Sequence, residues 1–332
     1  MFAKDIGIDL GTANVLIYIK GKGIVLDEPS VVAIDSDTKK PLAVGKEARA
    51  MLGRTPGKIQ AIRPMKDGVI ADFETTEIML NHFIKKVHGR SFLSRPRILI
   101  CCPSNITQVE KNAIIEAAER TGARKVYIEE ETKVAAIGAG MDISRPSGSM
   151  IIDIGGGTTD IAILSLGSMV KSTSIKIAGN AFDNDIVKYL KEKYKLLIGE
   201  RTAEEIKITI GSVFIEDRKE NEKIEVKGRD LVTGLPHTIT MSSKEVEEAL
   251  RDSVYQIIKH TKDVLEQTPP ELAADIMDKG IILTGGGAMI NGFYRLLAHE
   301  LKVPVFLADS PLTCVVEGTG ILLDNPHMIE KE

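Results

Sequence analysis

Two short segments of the sequence carry residue types that could bind a phosphate group and its metal ion. In each, an aspartate in an apolar run precedes a turn rich in glycine or threonine: Asp9 before residues 11–14, and Asp153 before residues 155–159. Because glycine lacks a Cβ, backbone N–H groups in such turns can approach an anion closely. Threonine hydroxyls can donate to phosphate oxygens, and a carboxylate can hold Mg²⁺ through its water ligands. A third glycine-rich turn, residues 285–287, follows another apolar run and fits the same chemistry.

One turn of this kind is equally consistent with a tight hairpin that binds nothing. Three in one chain, two of them with an aspartate on the preceding strand, favour phosphate binding. The sequence contains neither a G-x-x-x-x-G-K-[ST] loop nor a G-x-G-x-x-G turn that opens a helix after the first strand. The residues therefore predict that hairpins from opposite halves of the chain bind the phosphates.

Alternating strand and helix patterns must position these turns. Strand patterns cover residues 6–10, 15–19, 96–103, 150–154, 161–164 and 281–284, with two more between residues 222 and 241. Helix patterns cover residues 75–86, 109–121, 182–190 and 244–266. This alternation predicts an α/β protein. The plan shared by the two aspartate segments, about half the chain apart, predicts a duplicated domain.

The composition excludes several classes of protein. The 332 residues correspond to about two domains, the net charge of −4 provides no basic field for nucleic acid, and 43% of residues are hydrophobic. Three cysteines, two of them adjacent, cannot form a disulfide framework or a C-x-x-C zinc site. No apolar run reaches the roughly 18 residues needed to span a bilayer, and the first residues do not resemble a signal peptide. We therefore expect a cytoplasmic protein that binds no nucleic acid.

Five segments together resemble the actin, heat-shock-70 and sugar-kinase superfamily, in its order. Residues 6–14 and 153–160 resemble its two phosphate loops, residues 283–288 its adenosine loop, and residues 130–138 and 316–320 its two connecting helices. The sequence is most similar to the MreB family of bacterial actins, and within it to the Mbl branch. That similarity runs from about residue 3 to residue 325 and includes residues 21–30, 63–72, 199–207 and 268–272.

The resemblance implies an actin-like fold, with duplicated ribonuclease H-like domains around a nucleotide cleft and a small subdomain inserted in each. The implied boundaries are residues 1–32, 67–145 and 310–332 for subdomain IA, 33–66 for IB, 146–181 and 245–309 for IIA, and 182–244 for IIB.

The resemblance also implies which residues bind ATP or ADP with Mg²⁺. Asp9 and Asp153 would arrange the metal ion. The phosphates would lie against Thr12, Ala13, Asn14, Gly156, Gly157 and Thr158. Ribose and adenine would be held by Glu204, Glu205, Ile206, Lys207, Gly285, Gly286, Gly287 and Ala288.

Glu131 aligns with the acid that positions the attacking water, with help from Thr158. Phosphoryl transfer depends mostly on positioning and charge neutralisation, so one carboxylate suffices for this task. Considered alone, Glu131 could equally be an acid favoured by the helix dipole in a first turn. Thr132 stands where much of the family has proline, which makes the entry to this helix less rigid.

A basic segment around Phe92 and Leu93 suggests a membrane contact. Lys85, Lys86, Arg90, Arg95 and Arg97 flank the pair, which suits an anionic lipid surface. The alternative is that both side chains fold back onto the core. In the family, a hydrophobic loop at this place contacts the membrane. Each apolar side chain would contribute about 1.5–3 kcal/mol and each cation about 1 kcal/mol, so binding becomes adequate only when many subunits are linked.

The function implied is an ATP-dependent, membrane-associated filament that maintains rod shape by organising peptidoglycan synthesis, with slow ATP hydrolysis as its switch. The implied partners are further copies of the chain in double filaments, the inner face of the cell membrane, MreC, MreD, RodZ and wall-synthesis enzymes. One alternative is a small-molecule kinase of the same superfamily. A heat-shock-70-like chaperone is a weaker alternative, because the sequence stops at Glu332, without a long peptide-binding region.

Overall fold

The computed structural model describes residues 5–88, 95–103, 106–214 and 222–329. The chain divides into two compact units, the first formed by Met1–Ile143 with Leu312–Glu332 and the second by Ser144–Pro311. No helix among the described residues is long and apolar enough to cross a membrane.

The first unit contains ten strands and five helices within the described ranges. In chain order they are β1 Ile6–Leu10, β2 Asn14–Ile19, β3 Gly23–Pro29, β4 Val32–Asp35, β5 Pro41–Val44, α1 Lys46–Met51, β6 Ile59–Ile62, β7 Met65–Lys66, β8 Val69–Ile70, α2 Phe73–His88, β9 Arg97–Cys102, α3 Gln108–Glu119, β10 Lys125–Glu130, α4 Glu131–Gly138 and, after the second unit, α10 Cys314–Asp324.

The second unit contains eight strands and five helices among its described residues. They are β11 Ser149–Ile154, β12 Thr159–Ser165, β13 Ser168–Ile175, α5 Gly179–Tyr194, β14 Leu196–Leu197, α6 Glu200–Ile210, β15 Lys223–Asp230, β16 Pro236–Ser242, α7 Ser243–Glu266, α8 Pro270–Lys279, β17 Ile281–Thr284, α9 Phe293–Leu301 and β18 Val305–Leu307. A 3₁₀ turn, Gly286–Met289, follows β17.

The main sheets of the two units have the same topology. The first has the order β3-β2-β1-β9-β10 and the second the order β13-β12-β11-β17-β18. In both, three antiparallel strands form a meander, and two further strands continue in parallel from its first strand. The duplication predicted from the two aspartate segments is therefore present in the sheets, and the predicted α/β class is confirmed.

The central strands are apolar because both faces of each sheet are covered. All residues of β1 and β11 are buried, as expected for strands in the interior of a covered sheet. Each unit has its own hydrophobic core, with Phe83 fully buried in the first and Phe182 packed edge-on against Phe293 in the second. Smaller sheets, β5-β4-β6 and β14-β15-β16, lie one in each unit.

The helices predicted from apolar periodicity form at the expected places, with ends shifted by a few residues. Residues 75–86 lie within α2, residues 182–190 within α5, and residues 244–266 within α7. α3 begins at a capping box in which Thr107 and Glu110 bond reciprocally. The division into four subdomains stays a prediction.

Candidate functional site

In the first unit, parallel pairing brings two predicted site residues to one edge of the sheet. β1, β9 and β10 run in parallel, with Asp9 opposite Cys101 and Glu129 opposite Cys101 on the other side. α4 begins at Glu131, two residues beyond Glu129. The edge formed by the carboxyl ends of parallel strands is where α/β sheets bind ligands. Asp9 and Glu131 therefore belong to the same edge.

The Asp9 carboxylate is buried without a full set of donors. Its side chain is 8% exposed, and no hydrogen-bond donor among the described residues reaches Oδ1. Burial and then the neighbouring Asp27 carboxylate raise the pKa of Asp9 to about 7. Asp27 itself accepts a 2.8 Å hydrogen bond from Asn14 Nδ2. A buried acid with an unsatisfied oxygen fits a site for a hydrated cation, because Mg²⁺ is commonly held by one or two carboxylates together with phosphates.

The turn after β1 is fixed by bonds to its carbonyls and to a hydroxyl. The Ser30 hydroxyl donates to the Gly11 carbonyl at 2.7 Å, and the Ser30 N–H donates to the Ala13 carbonyl at 2.9 Å. Thr12 is buried, and its hydroxyl accepts from the Gly68 N–H at 3.3 Å. The shape of this predicted phosphate turn is thus set by the first unit itself.

Glu131 is half-buried at the start of α4, where the helix dipole favours an acid. Burial raises the pKa of the Cys101 thiol, and the carboxylates of Asp9 and Glu131 raise it further. Cys101 is on β9, between β1 and β10, and both carboxylates are near enough to act on its thiol. Thr132 is fully buried, and no partner among the described residues reaches its hydroxyl.

In the second unit, the first glycine of the predicted adenosine loop packs directly on the second predicted metal ligand. Asp153 is opposite Thr284 in the parallel pair β11–β17, and its side chain is 4% exposed. Gly285 has a φ of +87°, and a Cβ there would lie 2.3 Å from Asp153 Oδ1. Only glycine accommodates both the conformation and the contact. The structure therefore brings Asp153 together with Gly285.

The second glycine-rich turn is held by the first residues of α5. Within the turn, the Gly155 N–H donates to the Thr158 carbonyl at 2.9 Å. The carbonyls of Gly155 and Gly156 accept from the N–H groups of Gly179 at 3.1 Å and Asn180 at 2.8 Å. Thr158 is 6% exposed and directly precedes β12.

The predicted adenosine-binding residues on α6 differ in burial and in the groups that they contact. Lys207 Nζ donates to the Gly179 carbonyl at 2.8 Å and lies 2.8 Å from Asp183 Oδ1, with both charged side chains mostly buried. Its ammonium therefore bonds the helix end that holds the glycine-rich turn. Ile206 belongs to the hydrophobic core of the unit, whereas Glu205 is exposed.

The remaining predicted adenosine residues also differ in exposure. Ala288 belongs to the core of the second unit, and Gly287 is buried. A Cβ at Gly287 would lie 2.4 Å from Ile154 Cγ2. Gly286 is exposed, and Glu204 is partly exposed on α6. The tight turn that follows β17 thus packs against Ile154 at the end of β11 and leaves Gly286 exposed.

Sequence reasoning did not assign a role to Asp160. This residue is opposite Asp153 in β11–β12 and opposite Ser174 in β12–β13. It is 3% exposed, and its Oδ1 has no hydrogen-bond partner among the described residues. The sequence pattern placed Asp160 before the predicted strand of residues 161–164, and only the pairing of β11, β12 and β13 reveals its position.

The predicted membrane residues Phe92 and Leu93 lie outside the described residues. Across the ranges that the structure covers, no group of three or more His, Cys, Asp or Glu side chains is placed to hold a metal ion.

Comparison with known sequences identifies a family and a close relative. The family model described as MreB/Mbl protein matches residues 3–331. The cell shape-determining protein Mbl of Bacillus subtilis (strain 168) is 64% identical over 331 residues, which cover 100% of this chain and 99% of Mbl.

Comparison with solved structures identifies the same fold. The crystal structure of MreB5 of Spiroplasma citri bound to AMPPNP has a TM-score of 0.93 and 43% identity, covering 98% of this chain and 97% of that one. The same protein bound to ADP gives a TM-score of 0.92. The MamK double helical filament, at 22% identity, has a TM-score of 0.82 over 97% of this chain and 99% of its own, and shows the fold alone.

Proposed function

The chain belongs to the MreB/Mbl family of bacterial actins, and from this premise we propose that it is an ATP-binding, filament-forming protein that determines cell shape. One observation carries the proposal. An aspartate followed by a glycine- or threonine-rich turn stands at the end of the corresponding strand, β1 or β11, in two sheets of identical topology. A pair of such turns, each with its aspartate, suits the phosphates of a nucleotide. The Spiroplasma relative is bound to AMPPNP in one structure and to ADP in another.

In this proposal, the turns formed by residues 12–14 and 156–158 bind the phosphates. Asp9 and Asp153 hold Mg²⁺, and the unsatisfied Oδ1 of Asp9 supports that assignment. The metal ion, when bound, neutralises charge on the phosphate oxygens. Glu204, Glu205 and the turn at residues 285–287 contact ribose and adenine, while Ile206 and Ala288 support them from the core.

Glu131 and Thr158 orient the water that hydrolyses ATP. Hydrolysis needs no strong nucleophile, because positioning and charge neutralisation supply most of the catalysis. The resemblance to the family implies that this turnover is slow. Slow hydrolysis suits a switch in which ATP favours filament contacts and ADP weakens them.

We further propose that the filaments are double and lie on the inner face of the cell membrane. The contact would be made by Phe92 and Leu93 within their basic flanks, and the partners would be MreC, MreD, RodZ and wall-synthesis enzymes. The name of the Bacillus relative, a cell shape-determining protein, supports this role.

Light scattering after addition of ATP and Mg²⁺, with no other substrate present, tests the proposal. We expect scattering above a threshold protein concentration. Rapid release of ADP that depends on an added small-molecule acceptor, with no scattering at any concentration, would instead support a kinase of the same superfamily.

Sedimentation with anionic vesicles tests the membrane contact. The double variant Phe92→Ser/Leu93→Ser should sediment several-fold less than the parent protein when ATP and Mg²⁺ are present. Leu166→Ser is the matched control, because Leu166 is an apolar side chain that is 66% exposed in the second unit. Equal sedimentation of the double variant and the parent would reject the contact.

A further inference from the structure

A buried row of polar side chains crosses the main sheet of the second unit beside Thr158. Asp153, Asp160 and Ser174 are directly opposite one another on β11, β12 and β13, so all three point to one face of the sheet. Thr158 lies two residues before Asp160 and therefore near the same face. Asp160 is the middle member of this row, and the proposed function gives it no task.

Asp160 is in an environment that a purely structural carboxylate does not need. It is 3% exposed, and its Oδ1 has no hydrogen-bond partner among the described residues. Burial raises the pKa of Asp160, while the hydroxyls of Ser174 and Thr158 are close enough to lower it in part. A buried acid without full satisfaction costs stability, so its presence beside a predicted catalytic hydroxyl suggests a functional reason.

The chemistry follows from the hydrogen-bonding capacity of each group. A threonine hydroxyl has one proton and two lone pairs, whereas an ionised carboxylate only accepts. If the Thr158 proton is donated to Asp160, the Thr158 oxygen can act towards a water molecule only as an acceptor. That water must donate to Thr158, which leaves a lone pair free to point at the γ-phosphorus.

We propose that Asp160 is a positioning residue that fixes the direction of the Thr158 hydroxyl and, through it, the orientation of the attacking water. The inference rests on the proposed ATP hydrolysis. In that reaction the water oxygen bonds to the γ-phosphorus, and the bridging oxygen leaves with ADP. One water proton stays on the released phosphate and the other passes to solvent.

Asp160→Asn tests this role because the amide has almost the same shape as the carboxylate. Its NH₂ group can donate to Thr158, which would turn the threonine proton towards the water and block the nucleophilic lone pair. We expect the single-turnover rate of phosphate release to fall about 10–100-fold. The Kd for AMPPNP with Mg²⁺ should stay within about twofold, since the group acts on the transition state.

A double-mutant cycle with Thr158→Val separates positioning from a general structural effect. If Asp160 acts through Thr158, then Asp160→Asn should have little further effect on the rate in the Thr158→Val background. Ser174→Ala is the control, because it removes the other hydroxyl beside Asp160 and should leave the rate within about twofold. Asp160→Glu keeps a carboxylate and should recover part of the rate; it also serves in the cycle if Asp160→Asn does not fold.

The outcomes distinguish the inference from the function on which it rests. A parent protein that binds AMPPNP but releases no phosphate from ATP would overturn the proposed hydrolysis and this role with it. If the parent hydrolyses ATP and the Asp160→Asn variant does so at the same rate, the role of Asp160 is overturned while the proposed hydrolysis stands. Additive effects of the two substitutions in the cycle would have the same meaning.

Discussion

Asp9 could be predicted as a site residue from its type and position in the sequence, but its surroundings could not. An aspartate before a glycine-rich turn predicts a phosphate or metal site, and the structure gives that aspartate a buried, unsatisfied oxygen. The sequence could not indicate that Asp27 would raise its pKa, because Asp27 is brought near by pairing of β2 with β3. The task of Lys207 was equally hidden, since its partners Gly179 and Asp183 come from a different helix.

Asp9→Asn should stabilise the nucleotide-free protein at neutral and higher pH. The pKa of Asp9 is about 7 in the folded chain, above the usual 3.8, so its contribution is fully favourable below pH 4 and is lost as pH rises to about 7. Removing the buried charge should raise the free energy of unfolding by about 1–3 kcal/mol at pH 8 and change it little at pH 4.

Thermal unfolding at both pH values, with and without ATP and Mg²⁺, measures this effect. The same variant should lose the stabilisation that ATP and Mg²⁺ give the parent protein. An Asp9→Asn variant that is less stable than the parent at pH 8 without nucleotide would contradict the account of this carboxylate.

Replacing the Lys207–Asp183 pair should weaken binding of the phosphates more than binding of adenosine. The double variant Lys207→Met/Asp183→Asn leaves no buried charge unpaired, but it removes the bond to the Gly179 carbonyl. We expect the Kd for ATP to rise about tenfold, equivalent to about 1.4 kcal/mol, and the Kd for adenosine to change little.

Calorimetric titration with ATP and with adenosine distinguishes the two roles. Lys191→Met is the control, because Lys191 is exposed on α5. An equal loss of affinity for both ligands would mean that Lys207 contacts the adenosine directly.

At the scale of elements, apolar periodicity predicts the four helices α2, α3, α5 and α7, the family resemblance indicates α4 and α10, and packing decides how closely helices approach. α4 and α10 lie so close that a Cβ at Gly138 would be 1.8 Å from the Cys314 carbonyl oxygen, and one at Gly318 2.1 Å from that of Val134. Nothing in the periodicity of either helix marks these glycines as contact points. Long-range partners decide them, which is why sequence reasoning identified the helices but not the contact.

Gly318→Ala should therefore destabilise the first unit by about 1–3 kcal/mol, because the added methyl group meets backbone that cannot move aside. Urea denaturation followed by circular dichroism measures the change. Gly57→Ala is the matched control, since a Cβ there would meet nothing within 4 Å. A Gly318→Ala variant as stable as the control would show that the two helices separate easily.

The contact between α5 and α7 should stabilise the protein less at acidic pH than at neutral pH. Burial alone would raise the pKa of Glu245, but hydrogen bonds from Tyr194, Lys193 and Ser242 lower it to about 2. The stability that this carboxylate contributes is therefore present above pH 4.5 and lost as pH falls towards 2.

Glu245→Gln should lower the free energy of unfolding by about 1–3 kcal/mol at pH 7. Between pH 4.5 and pH 2, the stability of the variant should fall less than that of the parent protein. Denaturation curves across this range provide the measurement, with exposed Glu266→Gln as control. An unchanged pH dependence in Glu245→Gln would assign the acid sensitivity to other groups.

At the scale of the whole molecule, the duplication was visible in the sequence because each half repeats an aspartate and a glycine- or threonine-rich turn between strands. The identical order of the two five-stranded sheets bears this out. The strand order itself could not be obtained from the residues, since β9, β10, β17 and β18 join the sheets through long crossover connections. The actin-like fold and the MreB/Mbl family are established for the chain, and filament formation driven by ATP is the central proposal.

Electron microscopy of the purified protein on an anionic lipid monolayer tests that proposal most directly. With ATP and Mg²⁺ present, we expect double filaments lying on the monolayer, and far fewer filaments with the Phe92→Ser/Leu93→Ser variant. Dispersed single subunits at every protein concentration, with ATP shown to be bound, would contradict the account.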